Sequence, residues 1–216
     1  MFVRVNDIDM YYEIQGVGNP IILVHGSGED HKIFNVLVKD LSKTNKVYSI
    51  DSRCHGKSSM SDKLSYETMA SDMIKFIKKL NINKPIFYGF SDGGIIGLII
   101  AMKQPLLLRK LIISGANLYP EGLKEKVLAK VKKVADKGNR LYKLMATEPD
   151  IKPEDLHAIE IPTVVLAGER DLIRQEHTEL IAENIKDSIL NFIPKEDHSS
   201  YIVHSRKLYP ILKKYL

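Results

Sequence analysis

The chain has a single cysteine, Cys54, and no tryptophan. One thiol cannot close an internal disulfide, so this is no cystine-stapled secreted scaffold, and a reducing compartment suits it. No apolar run approaches the ~18–20 residues that a membrane span requires, and no charged-then-apolar leader precedes the strand-like Met1-Phe2-Val3-Arg4-Val5. A cytoplasmic location with no membrane partner is therefore expected. No group of His, Cys, Asp or Glu has metal-ligand spacing. Neither Gly-x-Gly-x-x-Gly nor Gly-x-x-x-x-Gly-Lys-Ser/Thr occurs, so no cofactor and no metal are expected. Internal repeats and low-complexity segments are absent as well.

What is present is ordinary for a soluble globular protein, with 44% hydrophobic and 27% charged residues, and 216 residues suffice for one well-buried core. One domain over residues 1–216 is the expectation. The net charge of +5 comes from lysines spread mostly over helices, densest at Lys124, Lys126, Lys130, Lys132 and Lys133. No aromatic interleaving or nucleic-acid motif accompanies them, so a solvated helix face is expected, with no nucleic-acid partner. Oligomeric state is left open.

Periodicity supplies the elements. Phe2–Val5 and Met10–Ile14 around Asn6-Asp7 predict a hairpin. The continuous apolar run Ile21–Val24 predicts a strand buried on both faces of a parallel sheet, ending in His25-Gly26-Ser27-Gly28. A helix is predicted from about Asp30 to Leu41, then a strand over Lys46–Ile50, then an amphipathic helix over Tyr66–Leu80 with Ser65 as its N-cap. Strands follow at Pro85–Tyr88 and Leu111–Ser114, with a helix between them that ends near Gln104. From about 117 to 160 the pattern is lysine-rich and helical, an inserted cap segment. Strand character returns at Thr163–Ala167, a helix spans about Gln175–Ile185, and a last strand runs from Ser188 to Ile193. Pro194–His198 reads as a loop and Ser199–Leu216 as a closing helix. Alternating strands and helices imply a mostly parallel α/β sheet covered on both faces.

The stretch Ile86-Phe87-Tyr88-Gly89-Phe90-Ser91-Asp92-Gly93-Gly94-Ile95 carries the chemistry. It sets Gly-x-Ser-x-Gly at a strand-to-helix junction, where a serine at the tip of a sharp turn becomes an exposed nucleophile. Side chains at either glycine would collide with the neighbouring strand or helix. A hydroxyl needs a base, and His198 follows the last strand. The imidazole needs an orienting acid, and Asp171 follows the strand before, with Glu169 the alternative in the same loop. The amide of Asp92, just after the nucleophile, and the amide of Ser27, in the loop after Ile21–Val24, are the expected oxyanion donors. His204 and His177 fall on predicted helices and read as surface or core residues. His25 and His55 read as structural, bonding loop backbone, with Asp51 and Arg53 bonding backbone nearby. The Asp92 side chain either caps the helix it begins, the preferred reading, or faces the pocket to attract a cationic group such as the amine of an amino-acid ester.

These residues resemble the α/β-hydrolase fold family over nearly the whole chain. The likeness lies in His25-Gly26, Asp51-x-Arg53-x-His55-Gly56-x-Ser58, Gly89-x-Ser91-x-Gly93, Gly168-x-x-Asp171 and a histidine after the last strand, each at a strand end and in the family's order. Three departures stand out. Cys54 occupies a usual glycine position, Asp197 rather than glycine precedes the histidine, and the cap is short, which suggests a shallower or more open pocket. The resemblance implies an α/β-hydrolase fold and a serine hydrolase acting on small carboxylic esters or related acyl compounds through an acyl-enzyme. Thioester, amide or carbon–carbon bond hydrolysis on the same triad, and a non-catalytic ligand sensor, are the alternatives. A serine at the elbow argues against the dehalogenases and epoxide hydrolases of this fold, which use a carboxylate. The expected partner is a small-molecule acyl substrate.

Overall fold

The computed structural model describes residues 1–216. Eight strands form in chain order, β1 (Phe2–Val5), β2 (Ile8–Gln15), β3 (Asn19–Val24), β4 (Asn45–Ile50), β5 (Ile86–Phe90), β6 (Lys110–Ser114), β7 (Thr163–Arg170) and β8 (Ser188–Asp197). Seven helices accompany them, α1 (Asn35–Leu41), α2 (Tyr66–Lys79), α3 (Asp92–Lys103), α4 (Glu125–Ala135), α5 (Arg140–Thr147), α6 (Gln175–Glu183) and α7 (Leu208–Leu212). The strands lie in one sheet in the order β1-β2-β4-β3-β5-β6-β7-β8. Only the β1–β2 and β2–β4 pairs are antiparallel. No helix is long and apolar enough to cross a membrane.

Period-two alternation divides the central strands between two cores. Ile21 and Leu23 of β3 pack with Ile86, Tyr88 and Phe90 of β5 in a cluster under α1 and α7. Their neighbours Ile22, Val24 and Phe87 belong to a larger cluster under α2, α3 and α6. Each such side chain taken from water contributes roughly 1.5–3 kcal/mol. The expected cap N-terminus of α2 is present, with Ser65 Oγ accepting from the Thr68 amide at 3.0 Å.

Three expectations give way to the structure. The predicted helix over 30–41 begins as a 3-10 turn (His31–Phe34), because the Asp30 side chain caps the Lys32 amide and sets a tighter entry before α1. The predicted loop 194–198 is instead a continuation of β8 to Asp197, with a bulge opposite Gly168–Arg170. Pro194 is tolerated there because β8 is the outer strand, with one edge unpaired. The predicted closing helix over 199–216 shrinks to α7. His204 sits at φ +50, a left-handed residue that no helix continues through, and its amide is spent on the Ile33 carbonyl at 2.8 Å. His204 is thus in a turn, not on a helix.

Arg53 is the largest fully buried side chain. Its guanidinium grips Asp72 through both oxygens, at 2.7 and 2.9 Å, and also reaches Asp7 at 2.9 Å and the Lys63 carbonyl at 2.8 Å. The expectation that Arg53 bonds nearby backbone holds at the Lys63 carbonyl, but its main partner, Asp72, lies on α2. Burial disfavours the charge, but Asp72 and Asp7 outweigh that and hold the guanidinium's pKa up. Arg53→Leu would strand the Asp72 carboxylate without a counter-charge. An unfolding free energy lower by about 3–5 kcal/mol is expected in urea titration, whereas a loss under about 1 kcal/mol would mean that the pair contributes little.

Candidate active site

Ser91 stands between β5 and α3 at φ +51, ψ −114, a conformation that side chains other than glycine rarely adopt. Its amide donates to the Ser114 carbonyl at 2.8 Å, and its carbonyl accepts from the Gly94 and Ile95 amides at 2.8 and 3.1 Å, so the turn is fixed from both sides. A Cβ on Gly93 would run into the Val24 carbonyl, and one on Gly89 into the backbone of Gly93. The two glycines are what allow strand and helix to cross this closely.

His198 follows β8, and its Nδ1 lies 2.6 Å from Asp171 Oδ1. That carboxylate is itself clamped, with Oδ1 accepting from the Ile173 amide at 3.0 Å and Oδ2 from the Gly168 amide at 3.2 Å. Burial alone would raise the Asp171 pKa; the bond to His198, its charge and the two amides outweigh burial and hold it below the usual carboxylate value. The imidazole rests on Gly115, where an added Cβ would come within 2.6 Å of Cε1, and on the Phe90 ring, 4.9 Å away between centroids. Ser91 and His198 line one cavity of about 420 Å³, and no hydrogen bond joins the serine hydroxyl to the ring. Glu169 turns away, its carboxylate accepting from the Lys195 amide at 2.7 Å.

The loop after β3 forms the opposite wall. Ser27 lines the same cavity, and the amides of Ser27 and Asp92 have no intramolecular acceptor. Two buried histidines brace this loop. His25 Nε2 accepts from the Ser52 amide at 3.1 Å, so its ring proton is on Nδ1, which donates to the Gly26 carbonyl at 2.7 Å. Burial, with His55 beside it, pushes the His25 pKa down to about 4. His55 Nε2 accepts from the Gly28 amide at 3.0 Å. Both act as the structural residues the sequence suggested. Asp51 does bond backbone, at the His31 and Lys57 amides, and in addition the His31 ring. Cys54 sits at φ +63, in the left-handed region that favours glycine. Asp197 accepts from the Ser199 and Ser200 amides and so caps the turn that carries His198.

Asp92 makes no capping bond to α3. Its Oδ1 accepts from the Tyr66 hydroxyl at 2.8 Å, while Oδ2, fully buried, has no hydrogen-bond partner. Burial raises its pKa, opposed first by the Tyr66 hydroxyl. A small inner cavity of about 40 Å³, continuous in its lining with the first at Ser91, Met145, Leu172 and His198, is bordered by Asp92, Tyr66 and Glu148. Glu148 accepts from the Tyr66 amide at 3.0 Å. Cap helix α5 roofs the outer cavity with Leu141, Tyr142 and Met145.

Sequence reasoning missed Tyr66, Glu148, Gly115 and Glu29, all at the site. Glu29 alone had a local signal, a charged residue in a strand-end loop of otherwise minimal bulk. His177 is buried on α6, where burial pushes its pKa down to about 4, and its Nε2 accepts from the Leu118 amide at 2.9 Å, a core role.

A family model for the alpha/beta hydrolase fold matches residues 19–150. The human protein named serine hydrolase BPHL is 26% identical over 93% of this chain and 80% of its own length. Among solved structures, an esterase from Exiguobacterium antarcticum superposes with a TM-score of 0.87 over 99% of this chain and 98% of its own, at 22% identity. Est816, described as an N-acyl homoserine lactone degrading enzyme, superposes with a TM-score of 0.85 over the full length of both chains at 21% identity. At those identities the two structures speak for the fold.

Proposed function

The chain belongs to the α/β-hydrolase fold family, and we propose that it is a serine hydrolase of small carboxylic esters working through Ser91, His198 and Asp171. The observation that carries this reading is the 2.6 Å contact between His198 Nδ1 and Asp171, made by a ring that shares a cavity with a serine held at positive φ. With Nδ1–H given to Asp171, Nε2 is left unprotonated, as a general base requires. Ser91 Oγ attacks the acyl carbon as Nε2 takes its proton, and the serine–histidine bond closes when substrate fills the cavity. Negative charge gathers on the former carbonyl oxygen, where the unengaged amides of Ser27 and Asp92, the latter at the N-terminus of α3, stabilise it. His198 returns its proton to the leaving alcohol. Water then repeats the sequence on the acyl-enzyme, releasing acid and free Ser91. The experiment is labelling with a fluorophosphonate and mapping of the adduct, which should fall on Ser91 alone; no adduct on an otherwise folded protein would defeat the reading.

The unpaired Oδ2 of Asp92 supports a finer statement about substrate. A buried carboxylate oxygen with no donor costs about 1–3 kcal/mol, which a substrate ammonium could relieve. Esters with a small acyl group bearing an amine are the proposed preferred class. Asp92→Asn should lower kcat/KM on amino-acid esters by roughly tenfold to a hundredfold relative to alkyl esters, since an uncompensated ammonium is left facing a neutral amide. An unchanged ratio would leave Asp92 as a structural partner of Tyr66.

A further inference from the structure

The outer cavity contains a carboxylate that the triad does not use. Glu29 folds back over the loop that carries Ser27, with Oε2 accepting from the Gly26 amide at 3.0 Å. A Cβ built on Gly26 would lie 2.9 Å from that oxygen and 3.1 Å from Ser91 Cβ, so the carboxylate and the nucleophile's side chain are separated by about the width of one methyl group. Of 32 lysines and arginines in the chain, none lines either the outer or the inner cavity. The inner compartment, at about 40 Å³ against about 420 Å³, holds only a small group, so any longer arm of a substrate lies in the outer cavity, which Glu29 lines.

We propose that Glu29 is a specificity-determining residue that makes this site reject substrates carrying a carboxylate on the longer arm, restricting it to neutral and cationic esters. The inference rests on the serine-hydrolase reading above and goes beyond it by assigning a substrate charge class to the outer compartment. Its physical basis is repulsion without relief. An anionic arm meets Glu29 in a partly dehydrated space with no cation in the lining, and two like charges at such a separation disfavour one another by a factor of about ten to a hundred. Desolvation already raises the Glu29 pKa, opposed first by the Gly26 amide, so a second negative charge is unwelcome for the same reason. The bond to Gly26 keeps the carboxylate in place instead of letting it swing into solvent. In Glu29→Gln the side-chain carbonyl can still accept from the Gly26 amide, so the loop support persists while the charge goes.

The test compares hexyl acetate, 6-acetoxyhexanoate and 6-aminohexyl acetate, whose small acyl group suits the inner compartment and whose alcohol arms differ mainly in terminal charge. Acetate release is followed by NMR. The native protein should favour hexyl acetate over 6-acetoxyhexanoate by about tenfold to a hundredfold in kcat/KM, with the ammonium ester at least equal to the neutral one. Glu29→Gln should shrink the ratio of neutral to anionic ester by about tenfold, and because the readout is a ratio, a general loss of activity cancels. An unchanged ratio in that variant overturns the assignment. So does a native protein that turns over the anionic ester as well as the neutral one, which needs no variant to fold. Fluorophosphonate labelling of Ser91 run alongside separates the two readings. A labelled serine with no charge discrimination sinks the role of Glu29 alone, whereas neither labelling nor turnover overturns the hydrolase reading and this one with it.

Discussion

Ser91→Ala is expected to reduce ester turnover by about 10⁴-fold or more and to abolish fluorophosphonate labelling. Alanine removes one oxygen and little else. The backbone bonds that hold the turn, from the Ser91 amide to Ser114 and from Gly94 and Ile95 to the Ser91 carbonyl, do not involve the hydroxyl. Alanine has the same Cβ constraint at φ +51 as serine, so the elbow's strain is unchanged. The thermal midpoint should therefore move by no more than a few degrees while kcat collapses. The residual rate measures what the oxyanion donors and binding achieve without covalent catalysis, and it stays above the rate in water. Turnover of p-nitrophenyl acetate by the purified variant, beside the native protein, reads the effect directly. Turnover within tenfold of native would remove Ser91 from the mechanism.

The elbow was legible because it is a local event. Two glycines, a serine and the switch from a strand run to an apolar helix lie within ten residues, and sterics permit few other backbone paths through Gly89 and Gly93. The central strands and their burial on both faces were legible from short continuous apolar runs for the same reason, whereas their order in the sheet was not. What escaped was set across the chain. Tyr66 reads as a helix start, yet its hydroxyl serves Asp92, 26 residues on. Asn6 and Arg53 converge on Asp72 from separate segments, and no spacing rule connects them. The reach of β8 past Pro194 depended on its place at the sheet's edge, a property of topology, not of composition. The end of the chain was misread because its apolar spacing suits a helix, while His204 turns left-handed to meet Ile33 on the 3-10 turn. Asp92 shows both kinds at once. Its position at the first turn of α3 favoured a cap on general grounds, and only a tyrosine from α2 drew the carboxylate into the cavity instead.

Asp171→Asn is expected to cost roughly 10³–10⁴ in kcat at neutral pH with the fold retained. The native carboxylate serves three donors, with Oδ1 bonded to His198 and the Ile173 amide and Oδ2 to the Gly168 amide. An asparagine has one acceptor oxygen, so one of its two orientations fails two of these donors and the other fails one. If the NH₂ faces His198, Nδ1 must accept, the ring proton moves to Nε2, and the base can no longer take a proton from Ser91. The Ile173 amide then loses its acceptor as well. If the oxygen faces His198, the tautomer is kept, the Gly168 amide is orphaned, and the imidazolium formed during attack no longer faces a negative charge. Either way an unsatisfied buried amide costs about 1–3 kcal/mol of stability. Glu169 cannot substitute, since it is held by the Lys195 amide. The loss should appear equally in ester turnover and in the rate of fluorophosphonate labelling, because both need the same proton transfer from Ser91. A variant that labels at the native rate would show that His198 is oriented by its floor of Gly115 and Phe90 alone, and Asp171 would then be a clamp for the β7 loop instead of a member of the triad.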